Sequence, residues 1–385
     1  MIYLDNAASA PVLPEALEAA MPFLTECCGN PSSIHAQGRR AALAIIEARE
    51  RCARAIGAKP DEIYFTSGGT ESDNMALRAA ALSGRRAGRN RIVTTAIEHP
   101  AVLNTCKALE AEGFEVKYIG ADSDGFIDMA QARELIDENT AAASVMAANN
   151  EVGTIQPIKE IAELCRKCGA VFHTDAVQAA GHIPLDVEDI GCDMLSVSAH
   201  KFGGIRGAGF LYCRRDVPLE PLIFGGGQES GMRSGTENTA AIAAMGKALE
   251  ISCGNIARDT EYVRGLRDRL TRALLEIPGS RLNGSASGRL AGNVNVSFAG
   301  VEGESLVLGL DLRGVCASSG SACASGEEEP SHVLRAMGVP GEMLKGSLRL
   351  TVSARNTAEE IDAAAQAVRE TVETLRELRG VKWLT

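Results

Sequence analysis

SVSAHKFGG, Ser196 to Gly204, places a lysine directly behind a β-rich run, holds it between His200 and Phe202, and follows it with two glycines. A lone lysine at a strand end is ordinarily a solvated charge, so the stretch takes its meaning from what flanks it. Outward from it, between Asp61 and Tyr212, short β-rich runs alternate with helical patterns. The runs are EIYFT, RIVTTA, FEVKYI, AASVMAA, AVFHTDA, MLSVSA and GFLYC. Helical spacing fits between them, as at Glu71–Leu82, Ala101–Glu112, Met129–Ile136 and Ile158–Cys168. This alternation predicts βαβ units, hence an α/β fold whose large domain holds a mostly parallel, seven-stranded sheet.

After the glycine cluster FGGGQESGMRSGTEN a long helix is expected from near Asn238, and from about Ser280 the elements shorten. NVNVSF and SLRLTVS read as strands. AEEIDAAAQAVRETVETLRELRG reads as an amphipathic last helix with Ile361, Val368, Val372, Leu375 and Leu378 inward. The expected division is a large domain over 14–252 and a smaller α+β domain made of 1–13 and 253–385. The length of 385 residues suits two such cores, and 4% aromatic residues make them mostly aliphatic and alanine.

A net charge of −11 argues against a nucleic-acid partner, because phosphate neutralisation needs clustered Lys and Arg. The basic run SGRRAGRNR near Ser83–Arg91 reads as a solvated loop between a helix and a strand. The N-terminus lacks the basic, then apolar, pattern of a secretory signal, and no run of 18 apolar residues occurs to span a membrane. Eleven scattered cysteines fit a reducing compartment, so a cytoplasmic location is expected. Cys165 and Cys168 form a C-x-x-C, but with Ile158, Ile161 and Ala162 they follow helical spacing, so burial rather than a metal or redox role is expected. No metal site is expected elsewhere.

In open α/β sheets, ligands sit beyond the carboxyl ends of the strands. The residues there are unusually polar: Ser67 and Thr70, Glu98 and His99, Asn149 and Asn150, Asp175 and Gln178, then Ser198, His200 and Lys201. TSGGTESDNMAL sets Gly68, Gly69 and the N-cap candidate Thr70 at a helix start, which offers backbone N–H groups and a positive dipole end to a phosphate. The same residues also read as a plain capping box, with Asp73 three positions on. No G-K-[ST] follows, which excludes a P-loop. Joined to a phosphate cradle and to Asp175, Lys201 becomes a candidate for the Schiff-base lysine of pyridoxal 5'-phosphate, with Asp175 pairing the pyridinium nitrogen.

These pieces, taken with YLDNAASAPV, GNPSSIHAQGRRA, EHPAVLNTC, NNEVGTIQPI, HTDAVQAAGHIPLDV and SSGSACASG…PSHVLRAMG, resemble cysteine desulfurases of the NifS/IscS type. Those are class V aminotransferase family members within the fold-type I pyridoxal-phosphate-dependent transferases. The resemblance runs from Tyr3 past Arg349. It implies that Lys201 holds the cofactor covalently and moves the substrate Cα proton, while His99 stacks on the ring and assists. It implies that Asp175 pairs the ring nitrogen and that Gln178 bonds the phenolic oxygen. Gly69, Thr70, Ser198 and His200 would cradle the phosphate, joined by Thr236 from the neighbouring subunit of a homodimer. Asn150 and Arg349 would grip the carboxylate of L-cysteine. Cys323, on a mobile loop over about 318–330, would take the sulfur as a persulfide and leave alanine. A sulfur-acceptor protein such as an iron–sulfur scaffold would be the partner.

Two departures stand out. Glu327, Glu328 and Glu329 follow the cysteine loop, where negative neighbours disfavour a thiolate. FGGIRGAGF after Lys201 replaces the usual Gly-Pro-Lys-Gly turn, and Arg206 keeps the charge. The rival readings are a selenocysteine lyase or other pyridoxal-phosphate lyase on the same fold, and a non-catalytic sulfur-relay or scaffold protein.

Overall fold

The computed structural model describes residues 1–320 and 330–380. A short strand, β1 (Ile2–Tyr3), precedes helices α1 (Pro14–Thr25) and α2 (Ala36–Ala55). The alternating region then runs β2 (Ile63–Thr66), α3 (Gly69–Arg86), β3 (Arg91–Thr95), α4 (Pro100–Ala111), β4 (Glu115–Ile119), α5 (Met129–Leu135) and β5 (Thr140–Ser144). It continues through α6 (Ile158–Cys168), β6 (Val171–Asp175), α7 (Val187–Ile190), β7 (Met194–Ser198) and β8 (Gly209–Cys213). The seven expected runs are the seven strands of one sheet, in the order β2-β8-β7-β6-β5-β3-β4. Pairings from β4 to β7 are parallel, and β8 alone runs against its neighbours β7 and β2.

Every residue of β5, β7 and β8 is buried, because helices cover both faces. The alanines of β5 answer a specific crowding. Helix α3 crosses so close that a Cβ on Gly84 would lie 2.3 Å from Ala141 Cβ. Larger residues at either position would push α3 off the sheet, and α3 is the helix whose first turn faces the site.

The second half comprises α8 (Thr239–Leu275), β9 (Ser280–Leu282), β10 (Asn293–Phe298), α9 (Gly303–Asp311), β11 (Val315–Cys316), α10 (His332–Ala336), α11 (Gly341–Leu344), β12 (Ser347–Thr351) and α12 (Ala358–Leu378). Strands β12, β10 and β9 form an antiparallel sheet, and β1 pairs with β11. Two hydrophobic cores result. One gathers around the large sheet, and the other joins Leu4, the second half of α8, β10, β12 and α12. The 37-residue α8 belongs to both: Ala240–Leu249 packs in the first core and Val263–Leu274 in the second.

Three local expectations need correction. Leu378 is 79% exposed rather than inward, whereas Ile361, Val368 and Val372 are fully buried. Helical spacing carries the buried face from Val372 to Arg376, whose guanidinium donates twice to Ala299 O, and Leu378 falls outside that stripe. The basic run is not a free loop. α3 extends to Arg86, Arg85 stacks 3.5 Å above Phe114, and Arg91 opens β3 in ion pairs with Glu115 and Asp137. Thr70 is not the N-cap of α3, since Gly68 holds that position. The side chain that reaches back is Glu71, which accepts from Ser67 N at 2.9 Å.

Candidate active site

The polar residues predicted at the strand ends converge. A cavity of about 180 Å³ is walled by Gly69, Thr70, His99, Asn150, Asp175, Gln178, Ser198, His200, Lys201 and Arg349. Of the expected site residues, Thr236 lies elsewhere, beside a separate cavity with Phe65 and Glu237. Cys323, Glu327, Glu328 and Glu329 lie outside the described residues.

Lys201 ends the single helical turn Ala199–Lys201 that follows β7. Its Nζ donates to Ala7 O at 2.6 Å and Ala8 O at 3.0 Å, and Gln178 Nε2 donates to the same Ala7 carbonyl at 3.0 Å. The N-terminal segment therefore holds the lysine in place across nearly two hundred residues of chain.

Asp175 closes β6, with Oδ1 accepting from Val177 N at 2.9 Å. Burial raises its pKa, opposed by the nearby His99 and Lys201. A bound cation facing this carboxylate would lower it again. His99 is the N-cap of α4, and its Nδ1 accepts from Ala101 N at 3.1 Å. Burial lowers its pKa, so the ring is neutral with its remaining proton on Nε2.

Gly68 sits at φ +155, a conformation that residues with a Cβ rarely adopt. It turns the chain so that the first N–H groups of α3 open into the cavity beside Ser198, a ready site for an anion. A Cβ on Gly69 would strike Val177 Cγ2 at 2.6 Å. His200 bonds Ser9 Oγ at 3.3 Å, and burial first, then Lys201 and Arg206, pushes its pKa down to about 4. The positive charge at this end comes from Arg206, whose Nε also donates to Ser9 Oγ at 3.2 Å.

At the far end Arg349 is only 2% exposed. Nη1 donates to Asn150 O at 3.0 Å and Nη2 pairs with Asp5 Oδ1 at 3.1 Å, yet Nε and the Asn150 amide oxygen are buried without partners. Both residues line the cavity, so the Arg349 guanidinium and the Asn150 amide form its carboxylate-binding candidate end. The donor set thus offers a phosphate cradle at one end, a carboxylate clamp at the other, and an amine and a carboxylate between them. That arrangement fits a planar, phosphorylated aldehyde cofactor carrying an amino acid.

Sequence reasoning missed Asp5, Ala7 and Ala8, and it read Asp73 only as a capping residue. Asp73 lines the cavity with one unpartnered oxygen. The remaining histidines find structural partners. His35 caps α2, His173 lies buried between Ser144 and Ser196, His182 faces Lys201 O, and His332 faces Glu98 O. Cys165 is buried, and Cys168 Sγ turns to Cys165 O.

The chain belongs to the aminotransferase class-V family, whose model matches residues 2–364. Within it the chain stands with the cysteine desulfurases. It is 49% identical over 377 residues to "Cysteine desulfurase IscS" of Methanosarcina thermophila, covering 98% of this chain and 93% of that protein. A solved NifS-like protein superposes with a TM-score of 0.91 at 38% identity, covering 97% of this chain and 99% of that one. A second, described as SspA in complex with cysteine, gives a TM-score of 0.80 at 35% identity, covering 93% of this chain and 100% of that one.

Proposed function

We propose that this protein is a pyridoxal 5'-phosphate-dependent cysteine desulfurase that converts L-cysteine to L-alanine and passes the sulfur onward as a persulfide on Cys323. The observation that carries the reading is the single cavity that gathers Lys201, His99, Asp175, Asn150 and the buried Arg349. A solved relative described in complex with cysteine points to the same substrate.

When bound, pyridoxal phosphate supplies an electron sink that loosens bonds at the substrate's Cα and Cβ. The chain supplies the rest. Gly69, Thr70, Ser198 and His200 would hold the phosphate, and Thr236 from a second copy would join them. Asp175 would pair the ring nitrogen, and Gln178 would bond the phenolic oxygen. Lys201 Nζ would take the substrate Cα proton, and neutral His99 would relay a proton through Nε2. Arg349 and Asn150 fix the α-carboxylate. The Cys323 thiolate would attack the substrate sulfur, so a sulfur–sulfur bond forms as the carbon–sulfur bond breaks, the electron pair passing to Cβ, which takes up a proton. Alanine leaves, and the persulfide passes to an acceptor protein such as an iron–sulfur scaffold.

A homodimer is part of this reading. Leu17, Met21 and Leu24 on α1, with Ile34, Leu43, Ile46 and Phe224, leave large apolar side chains exposed. Leu17, Met21 and Leu24 fall on one face of α1, and an apolar face of that kind suits a covered surface. The free cysteines suit a cytoplasmic setting, and no helix among the described residues is long and apolar enough to cross a membrane. Residues 14–252 would form the cofactor-binding domain, with 1–13 and 253–385 carrying the cysteine loop.

The test is alanine formation from L-cysteine with a reductant present, comparing wild type with Cys323→Ser at equal cofactor content. Alanine only with Cys323 supports the persulfide route. Equal activity in the serine variant, or pyruvate in place of alanine, would replace it with a different lyase.

A further inference from the structure

Arg349 carries the carboxylate end of the site, but it is not a bare cation. Asp5 Oδ1 lies 3.1 Å from its Nη2, and the same oxygen accepts from Ser318 Oγ at 2.8 Å. The backbone locks the three residues together. Arg349 N donates to Ser318 O at 2.7 Å, Ser318 N returns to Arg349 O at 3.2 Å, and Asp5 bridges to Thr351 alongside. Arg349 is thus pinned by one arm to Asn150 O and by the other to Asp5, with Nε left over.

We infer that Asp5 is a specificity-determining positioning residue: it pins the Arg349 guanidinium at the cavity wall and offsets its charge, so that an α-carboxylate is recognised by geometry and held only weakly. The inference rests on the reading of Arg349 as the carboxylate clamp. Substrate and product carry the same carboxylate, so a clamp with full positive charge would grip both alike. That uniform binding lowers KM without helping the chemistry, and it slows the departure of alanine. The resident carboxylate sets the clamp to release.

Asp5→Asn keeps an oxygen for Nη2 and Ser318 while removing the charge. Two unit charges a few ångströms apart at an effective dielectric of about 20 influence binding by at least about tenfold. The experiment titrates holoenzyme with L-alanine and, separately, with L-alaninamide, by calorimetry. Asp5→Asn is expected to bind L-alanine about tenfold more tightly, with the KM for L-cysteine falling in parallel, and to leave L-alaninamide unchanged. Ser318→Ala, which keeps Asp5 in place and frees its oxygen wholly for Arg349, is expected to shift alanine affinity the other way.

Unchanged or weaker alanine binding in Asp5→Asn overturns the inference. So does an equal shift for alanine and its amide, which would mark a purely structural role, or an alanine affinity in Ser318→Ala that stays put or tightens. Wild-type holoenzyme that binds no L-alanine would instead sink the clamp assignment itself, and the inference with it.

Discussion

Glu98 offers a test of the site's electrostatics that does not depend on turnover. The carboxyl is fully buried three residues beyond β3. Oε1 accepts from Thr95 Oγ1 at 2.8 Å and Met146 N at 2.9 Å, while Oε2 has no partner. Burial, aided by the negative charge of Asp175, pushes its pKa up to about 8 from 4.5, against the pull of those two hydrogen bonds. The folded protein therefore keeps the proton over a range where the unfolded chain has lost it. The stability this protonated carboxyl contributes is whole below about pH 4.5 and is lost as pH rises through about 8. At about 1.4 kcal/mol per unit, the loss between pH 5 and pH 8 comes to roughly 3 to 4 kcal/mol. Glu98→Gln keeps the shape and the accepting oxygen but cannot ionise. Urea unfolding of both proteins at pH 5, 6, 7 and 8 should show the glutamine variant gaining on wild type by that amount across the series. Titrating groups that do not interact with Glu98 cancel in the difference, and Asp175 and Asp73 are the exceptions. A gap that stays constant with pH would refute the reasoning, because Glu98 would then be ionised, or solvated, in the folded state.

Four further outcomes are expected. Lys201→Ala should lose the visible absorbance of covalently held cofactor and stop alanine formation, both read on the purified variant. Asp73→Asn should remove a protonated-carboxyl infrared band and leave cofactor content intact, since burial and the charge of Asp175 raise the Asp73 pKa well above the ordinary range. Arg49→Met would strand Glu229, whose side chain is 3% exposed and is otherwise held by Phe65 N. Breaking such a pair costs about 3–5 kcal/mol, measurable by urea unfolding. Thr357→Ala removes half of the capping box that Thr357 and Glu360 make at the start of α12 and should cost about 1 kcal/mol, seen as a lower Tm.

Much of the fold could be read from the sequence because β5, β7 and β8 are buried on both faces. Their residues had to be apolar or small throughout, and the polar residues that end the strands then stood out against them. His99, Asn150, Asp175, Ser198 and Lys201 were found that way, since the carboxyl edge of a parallel sheet is one place in space. Asp5, Ala7 and Ala8 follow no such rule. They belong to an aperiodic N-terminal segment that meets Lys201 194 and 193 positions later through its backbone carbonyls, which no side-chain pattern encodes.

Arg349 shows where pattern reading reaches its limit. In SLRLTVS the leucines at 348 and 350 face the second core, so period-two alternation sends Arg349 to the opposite face. For a strand at a surface that face would be water, and an arginine there would be ordinary. Here it is the cleft between the two cores, where Asp5 from the N-terminus and Asn150 from beyond β5 close around the guanidinium. Alternation correctly excludes the residue from the core, but only the tertiary structure turns that exclusion into burial. Arg376 makes the same point on a helix. A hydropathy wheel sends it outward, and the carbonyl of Ala299 draws it in. Errors of this kind fall on buried polar groups because their partners are distant in sequence, and a functional cleft is where such groups collect.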